Sequence, residues 1–147
     1  MLVDPKQYVS GVEADGTGYS IPVNAAAIRG YQGNPFVVTE ETNLERETYE
    51  LQLMIDPGDP KKEREIAHMF PGSYAFTSDV YVTVPKGHVA WLLPSAKLVA
   101  AGLSVSSALM GPGHKGLVEG VLRVDGGEAF IEPGQDIAEL VIQKVED

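Results

Sequence analysis

Cysteine is absent from the 147 residues. No disulfide framework, thiolate nucleophile or Cys-ligated zinc can be built, and cysteine usage says nothing about redox compartment. Long hydrophobic runs are missing too, none approaching the ~18 residues of a membrane span. The amino-terminal stretch MLVDPKQYVSGVEADG has no basic region followed by an apolar one. The expectation is a soluble protein, cytoplasmic or virion-associated, that is not exported through a Sec signal and has no membrane partner. Positive charge is the third scarcity, with 11 Lys and Arg against 21 Asp and Glu and a formal net charge of −10. Duplex nucleic acid is held by clustered cations that neutralise phosphates, and these cations are scattered, so nucleic acid is not an expected partner. A polyanionic small molecule also meets an unfavourable field, although a pocket can focus local donors against it. The plainest meaning of the charge is a surface that resists non-specific association.

What the chain does have is punctuation. It carries 16 Gly and 10 Pro, with Pro-Gly dipeptides at Pro57-Gly58, Pro71-Gly72, Pro112-Gly113 and Pro133-Gly134. Proline presets φ for the first central position of a turn and glycine supplies the positive φ of the second. Between the turns lie short apolar or alternating stretches. In Thr48 to Ile55, the residues Tyr49, Leu51, Leu53 and Ile55 fall on one face and Glu50 and Gln52 on the other, which predicts one half-buried strand. Further predicted strands are Pro35 to Thr39, Tyr74 to Val84, His88 to Leu93, Leu117 to Val124, Glu128 to Ile131 and Asp136 to Val145. This pattern predicts an all-β fold in a single domain over residues 1–147. A chain of this length buries roughly 68–70% of its unfolded surface around one core, without staples.

One segment departs from the strand pattern. Pro94 to Gly102 begins with proline, is rich in helix formers and stops at glycine, predicting a helix of about two turns. Lys61 to Met69 reads as a second helix or an exposed loop. The acidic stretch with Glu40, Glu41, Glu45, Glu47 and Glu50 reads as solvated, and residues 40–70 as a surface excursion. His68, His88 and His114 lack metal-ligand spacing and read as surface or partly buried side chains. Trp91 reads as core or interface packing. The turn Gly16-Thr17-Gly18 lacks the Gly-Lys-Ser/Thr of a phosphate loop and reads as a strand entry.

The carboxyl-terminal half carries a family resemblance. The run VPKGHVAWLLPSAKLVAAGL over residues 84–103 is similar to the segment of the dUTPase and dCTP deaminase superfamily that passes from a strand into its short helix. GPGHKG over 111–116, followed by an apolar strand, and EPGQDIAELV over 132–141 arrive in the family's order. Upstream, GYSIP over 18–22 resembles the first family motif, and Pro71-Gly72 with Tyr74 to Pro85 resembles the strand pair before the helix. The resemblance spans residues 16–145. It implies a dUTPase-like β-prism, or distorted barrel, assembling as a homotrimer with nucleotide sites at its subunit interfaces. The implied chemistry is hydrolysis of dUTP to dUMP and pyrophosphate with magnesium, or hydrolytic deamination of dCTP.

Carried over position by position, the functional residues are replaced. Where the family's helix has Arg-Ser-Ser to hold the triphosphate, this chain has Ser95, Ala96 and Lys97, losing a guanidinium fork and a hydroxyl. The family's hairpin Asp, which contacts the sugar and activates water, falls on Gly111, and its stacking aromatic on His114. The general-base Glu of the deaminase branch falls on Val121, with Glu119 two residues earlier on the same strand face. Such a displacement, roughly 6–7 Å along a strand, takes a base out of reach of its water. Ser20 stands at the Asp of the first motif, and Glu139 at the phosphate-side Gln of the last, where a carboxylate repels a triphosphate. The dUTPase branch closes its site with a Gly-rich carboxyl-terminal arm; no such run is found up to Asp147, so an open site is expected.

The resulting expectation is a catalytically inactive homotrimer used as a structural or assembly module, such as a decoration (cementing) protein on a capsid shell. No catalytic residue or resident metal or cofactor is assigned, magnesium entering only with a bound nucleoside triphosphate. An alternative is a non-hydrolysing nucleotide-binding protein, a sponge or sensor, using Lys97, Lys115, Glu119 or Arg123. A second alternative is a divergent active dUTP diphosphatase or dCTP deaminase.

Overall fold

Alternation at period two sets the long strands. From Tyr74 to Val82 every second side chain is buried, and in Ser20–Asn24 the buried residues are Ile21 and Val23. Each face so defined needs another apolar layer, and the fold supplies it by stacking sheets. The computed structural model describes residues 2–4, 7–10, 20–31, 47–56, 58, 61 and 64–145. In chain order the elements are β1 (Leu2–Val3), β2 (Val9–Ser10), β3 (Ser20–Asn24), β4 (Ala27–Tyr31), β5 (Thr48–Glu50), β6 (Leu53–Ile55), β7 (Glu65–Met69), β8 (Gly72–Thr83), β9 (His88–Pro94), α1 (Ala96–Ala100), β10 (Leu103–Ser106), β11 (Lys115–Val124), β12 (Ala129–Ile131) and β13 (Asp136–Lys144).

Three sheets form, and every pairing is antiparallel. The first is centred on β13, which holds β9 on one edge and β3 followed by β1 on the other. The second runs β10-β11-β8-β4-β5, with β2 beside the far end of β8. The third is β12-β7-β6. Their inner faces share one core: Ile21, Leu140 and Ile142 from the first, Phe76, Val82 and Leu122 from the second, Ala67, Met69 and Ile131 from the third. Each large aliphatic side chain so buried stabilises the fold by about 1.5–3 kcal/mol.

The β8–β11 ladder is interrupted once. Leu117 pairs with Tyr81 and Glu119 with Thr77, so three residues of β8 face the single residue Val118. The backbone groups stranded at this bulge are satisfied by Ser78, which is 1% exposed. Its hydroxyl donates to the Val118 carbonyl at 2.7 Å and accepts from the Val80 amide at 3.1 Å. Asp79, pushed outward, meets Asn24 of β3: its amide donates to Asn24 Oδ1 at 2.9 Å, and Asn24 Nδ2 donates to its carboxylate at 3.0 Å.

The predicted helix is present as α1. Ser95 caps it, its hydroxyl accepting from the Leu98 amide at 3.2 Å, and Gly102 stops it at φ +82°, a conformation that an L side chain avoids. The turns at Pro112-Gly113 and Pro133-Gly134 also form. Two readings are corrected. Residues 65–69 are a strand, not a helix, because Ile66, Ala67 and Met69 are buried between neighbouring strands and the core, which outweighs their helix propensity. Thr48 to Ile55 is two strands rather than one: β5 pairs with β4 and β6 with β7, and Tyr49, Leu53 and Ile55 are exposed. The chain changes sheets at Leu51-Gln52, which a single alternating face cannot describe. Within the excursion read over 40–70, residues 47–55 and 65–69 thus contribute strands to two sheets. The predicted strand Pro35 to Thr39, the turn Gly16-Thr17-Gly18 and Glu40, Glu41 and Glu45 lie outside the described residues.

Four substitutions test this account by denaturant midpoint. Ser78→Ala leaves two buried backbone groups unpaired and is expected to cost about 1–3 kcal/mol. Gly120→Ala sets a Cβ 2.5 Å from the Ser106 carbonyl and is expected to destabilise by about 1–3 kcal/mol, whereas Gly111→Ala, with open space around it, should stay within about 0.5 kcal/mol of wild type. Ser95→Ala should cost about 1 kcal/mol through loss of the cap.

Candidate functional site

The positions singled out in the sequence fall in three places. The first is the carboxyl-terminal end of β9. Ser95 donates its amide to the Ile137 carbonyl at 3.0 Å, which seats the start of α1, with Ala96 and Lys97, against β13. Glu139, exposed on β13, lies in register between Pro22 and Leu93, and one step along the same face Ser20 and Trp91 flank Val141. The structure therefore brings Ser20, Glu139 and half-buried Trp91 onto the outer face of the first sheet.

The second place is the hairpin before β11. Met110 bridges to Ala90, and the His114 carbonyl accepts from the Val84 amide at 2.9 Å. Ala90 is five residues before Ser95 along the chain, roughly 16 Å at about 3.3 Å per residue. Gly111, His114 and Lys115 thus sit well away from α1. The third place is the outer face of the second sheet, where Glu119, Val121 and Arg123 align with Thr77, Ala75 and Ser73. Glu119 is exposed and two residues from Val121, and the register shift of the ladder lies just before it, between Leu117 and Glu119, so that Glu119 faces Thr77 and Val121 faces Ala75. Arg123, read as a possible ligand contact, instead donates from Nε to Asp125 at 2.9 Å. Both side chains are largely exposed, so the pair adds little stability, but it occupies the guanidinium.

The first place borders a cavity. A half-open groove of about 230 Å³ runs between α1 and β12, with Ser95, Lys97 and Leu98 on one wall and Glu128 to Ile131 on the other. Of the cations proposed as ligand contacts, Lys97 alone lines it. Magnesium that accompanies a triphosphate needs converging oxygen ligands. Among the described residues no three His, Asp or Glu side chains converge, Ser20 and Gly111 bring no carboxylate, and Glu139 is flanked by Pro22 and Leu93. The donor set does not fit a resident metal.

Sequence reasoning missed one cluster beside this groove. His68 stacks on Phe130 with ring centroids 4.5 Å apart and meets Phe70 at 4.6 Å, while its Nε2 lies 3.2 Å from Glu128. The cluster exists because β7 pairs with β12 and sets Phe130 opposite His68. Reading 61–69 as a helix removed the partner strand, and Ile66 and Phe70 were the only β-favouring signals available.

No family model matches the chain. A protein of Aeropyrum pernix described as "Probable deoxyuridine 5′-triphosphate nucleotidohydrolase" is 31% identical over 85 residues, covering 57% of this chain and 54% of that protein. The chain thus matches about half the length of this curated relative. Among solved structures, the 2′-deoxycytidine 5′-triphosphate deaminase of Agrobacterium tumefaciens covers 95% of this chain and 44% of its own at TM-score 0.67 and 10% identity, a likeness of fold. The dUTPase of Staphylococcus bacteriophage 80alpha covers 56% of this chain and 75% of its own at TM-score 0.49 and 18% identity. Sequence likeness and shared fold together support a resemblance to the dUTPase and dCTP deaminase superfamily.

Proposed function

We propose that the chain forms a dUTPase-like homotrimer that lacks the superfamily's chemistry and serves as a structural or assembly module. Decoration of a threefold position, as on a viral capsid, is the specific form of that reading. The observation that carries it is the side chains at the reacting positions. Ser95 and Ala96 offer no guanidinium, Gly111 no carboxylate and Val121 no base, and Glu119 stands roughly 6–7 Å along the strand from Val121. A positioned general base alone contributes about 10²–10⁴-fold to rate, so a site missing base, water-activating carboxylate and phosphate clamp together has little left with which to catalyse. Support for the trimer comes from the separation of the three groups of positions within one chain. A family site drawing on all of them can form only where copies meet, and a trimer presents threefold symmetry to a symmetric shell.

A second reading, a nucleotide-binding protein without turnover, is favoured by the groove beside Ser95 and Lys97. It is weakened by Glu128 and Asp136 on the same groove, which repel phosphate.

Incubated with magnesium and dUTP or dCTP at high enzyme concentration, the protein is expected to release no pyrophosphate or ammonia above an enzyme-free control. Turnover abolished by Glu119→Gln or Lys97→Ala would replace this reading with a divergent enzyme. Light scattering should return three times the mass of one chain, and a monomeric mass refutes the trimer. Calorimetric titration with dUTP, dCTP and cyclic nucleotides decides the second reading, which no heat at millimolar ligand excludes.

A further inference from the structure

We propose that the outer edge of β12 is a strand-addition site for an extended basic segment of another protein. Among the described residues β12 pairs only with β7, so its other edge presents unpaired backbone amides and carbonyls. The groove beside it touches Glu128, Ala129, Phe130 and Ile131 in succession. Residues of a strand face opposite sides in turn, so contact with consecutive residues marks the edge rather than a face. The facing wall carries the apolar Leu98, Ala101 and Leu103 beside Ser95 and Lys97, and about 230 Å³ lies between helix and edge. An added segment would direct hydrogen bonds to β12 and alternate side chains to that wall, the recognition mode of strand addition to an exposed sheet edge.

Charge selects the occupant. Glu128 and Asp136 line the groove against one cation, Lys97. The chain as a whole carries −10, so a second copy brings like charge to an acidic rim, whereas a partner segment with Lys or Arg beside apolar residues is attracted. An exposed edge of this kind is ordinarily blunted by a bulge, a proline or a covering loop. β12 itself carries no charge, and the carboxylates that flank it face other side chains, Glu128 toward His68 and Glu132 toward Arg64. The added segment would fill the groove that the second reading gives to a nucleotide, so the two occupants exclude one another there.

The test uses the full chain and three fluorescein-labelled synthetic peptides: alternating valine and lysine, alternating valine and glutamate, and a proline-interrupted valine-lysine peptide that keeps the charge but loses amide donors. Anisotropy is expected to show saturable binding of the first peptide alone, with amide-exchange protection appearing at residues 129–131. Asp136→Lys, which leaves the His68–Glu128 pair intact, and Glu128→Lys/Asp136→Lys, with circular dichroism confirming the fold, should together weaken binding by roughly tenfold or more. Equal binding of the lysine and proline-interrupted peptides overturns the proposal, as does no binding at millimolar peptide. So does protection of 129–131 in the protein alone that grows with its concentration, which would assign the edge to a second copy.

Discussion

A buried backbone must have its amides and carbonyls paired, and β8 is where this constraint presses hardest. Its twelve residues carry β11 along one edge and both β4 and β2 along the other. The bulge opposite Val118 breaks the ladder in the interior, where water cannot repair it. The Ser78 hydroxyl takes over as both donor and acceptor, which an aliphatic side chain of the same size could not do. The bulge also turns Asp79 out to meet Asn24, linking the second sheet to the first. The positions of β3, β13 and hence α1 follow from that link.

Several of the side chains singled out in the sequence have partners within the chain. The Ser95 hydroxyl accepts from the Leu98 amide as a helix cap, so this side chain works for the helix. Arg123 is similarly committed to Asp125, and Glu139 adds a negative charge to a chain already at −10. These are local electrostatic facts, and they run in one direction: away from stabilising a polyphosphate and its developing charge.

The third sheet ends at an edge that opens onto the groove. In the larger sheets the long central strands β13 and β8 are paired along both edges, whereas β12 is a three-residue strand with a partner on one side. Beside it Phe70, His68 and Phe130 form an exposed aromatic surface, Phe70 being 56% and Phe130 44% accessible. An open edge, an aromatic face and an acidic rim lie together on the side of the chain that carries α1.

Much of the architecture could be read directly from residue order. Period-two burial marks β8 and β11, a largely continuous apolar run marks β13, and Ser95 and Gly102 bound α1, because strand patterning and helix capping are local physics carried by adjacent residues. The substitutions at Ser95, Gly111, Val121 and Glu139 are equally legible, since the identity of a side chain does not depend on folding. The sequence alone also determined the charge and the absence of thiol chemistry. Tertiary structure decided what depends on residues far apart in the chain. Glu65–Met69 became a strand because β6 and β12 lie on either side of it. Thr48 to Ile55 divided because its halves found different neighbours. The groove exists only because α1 and β12, some thirty residues apart, enclose the same space. Pairing and packing energies are properties of two surfaces meeting, and periodicity reports only one of them.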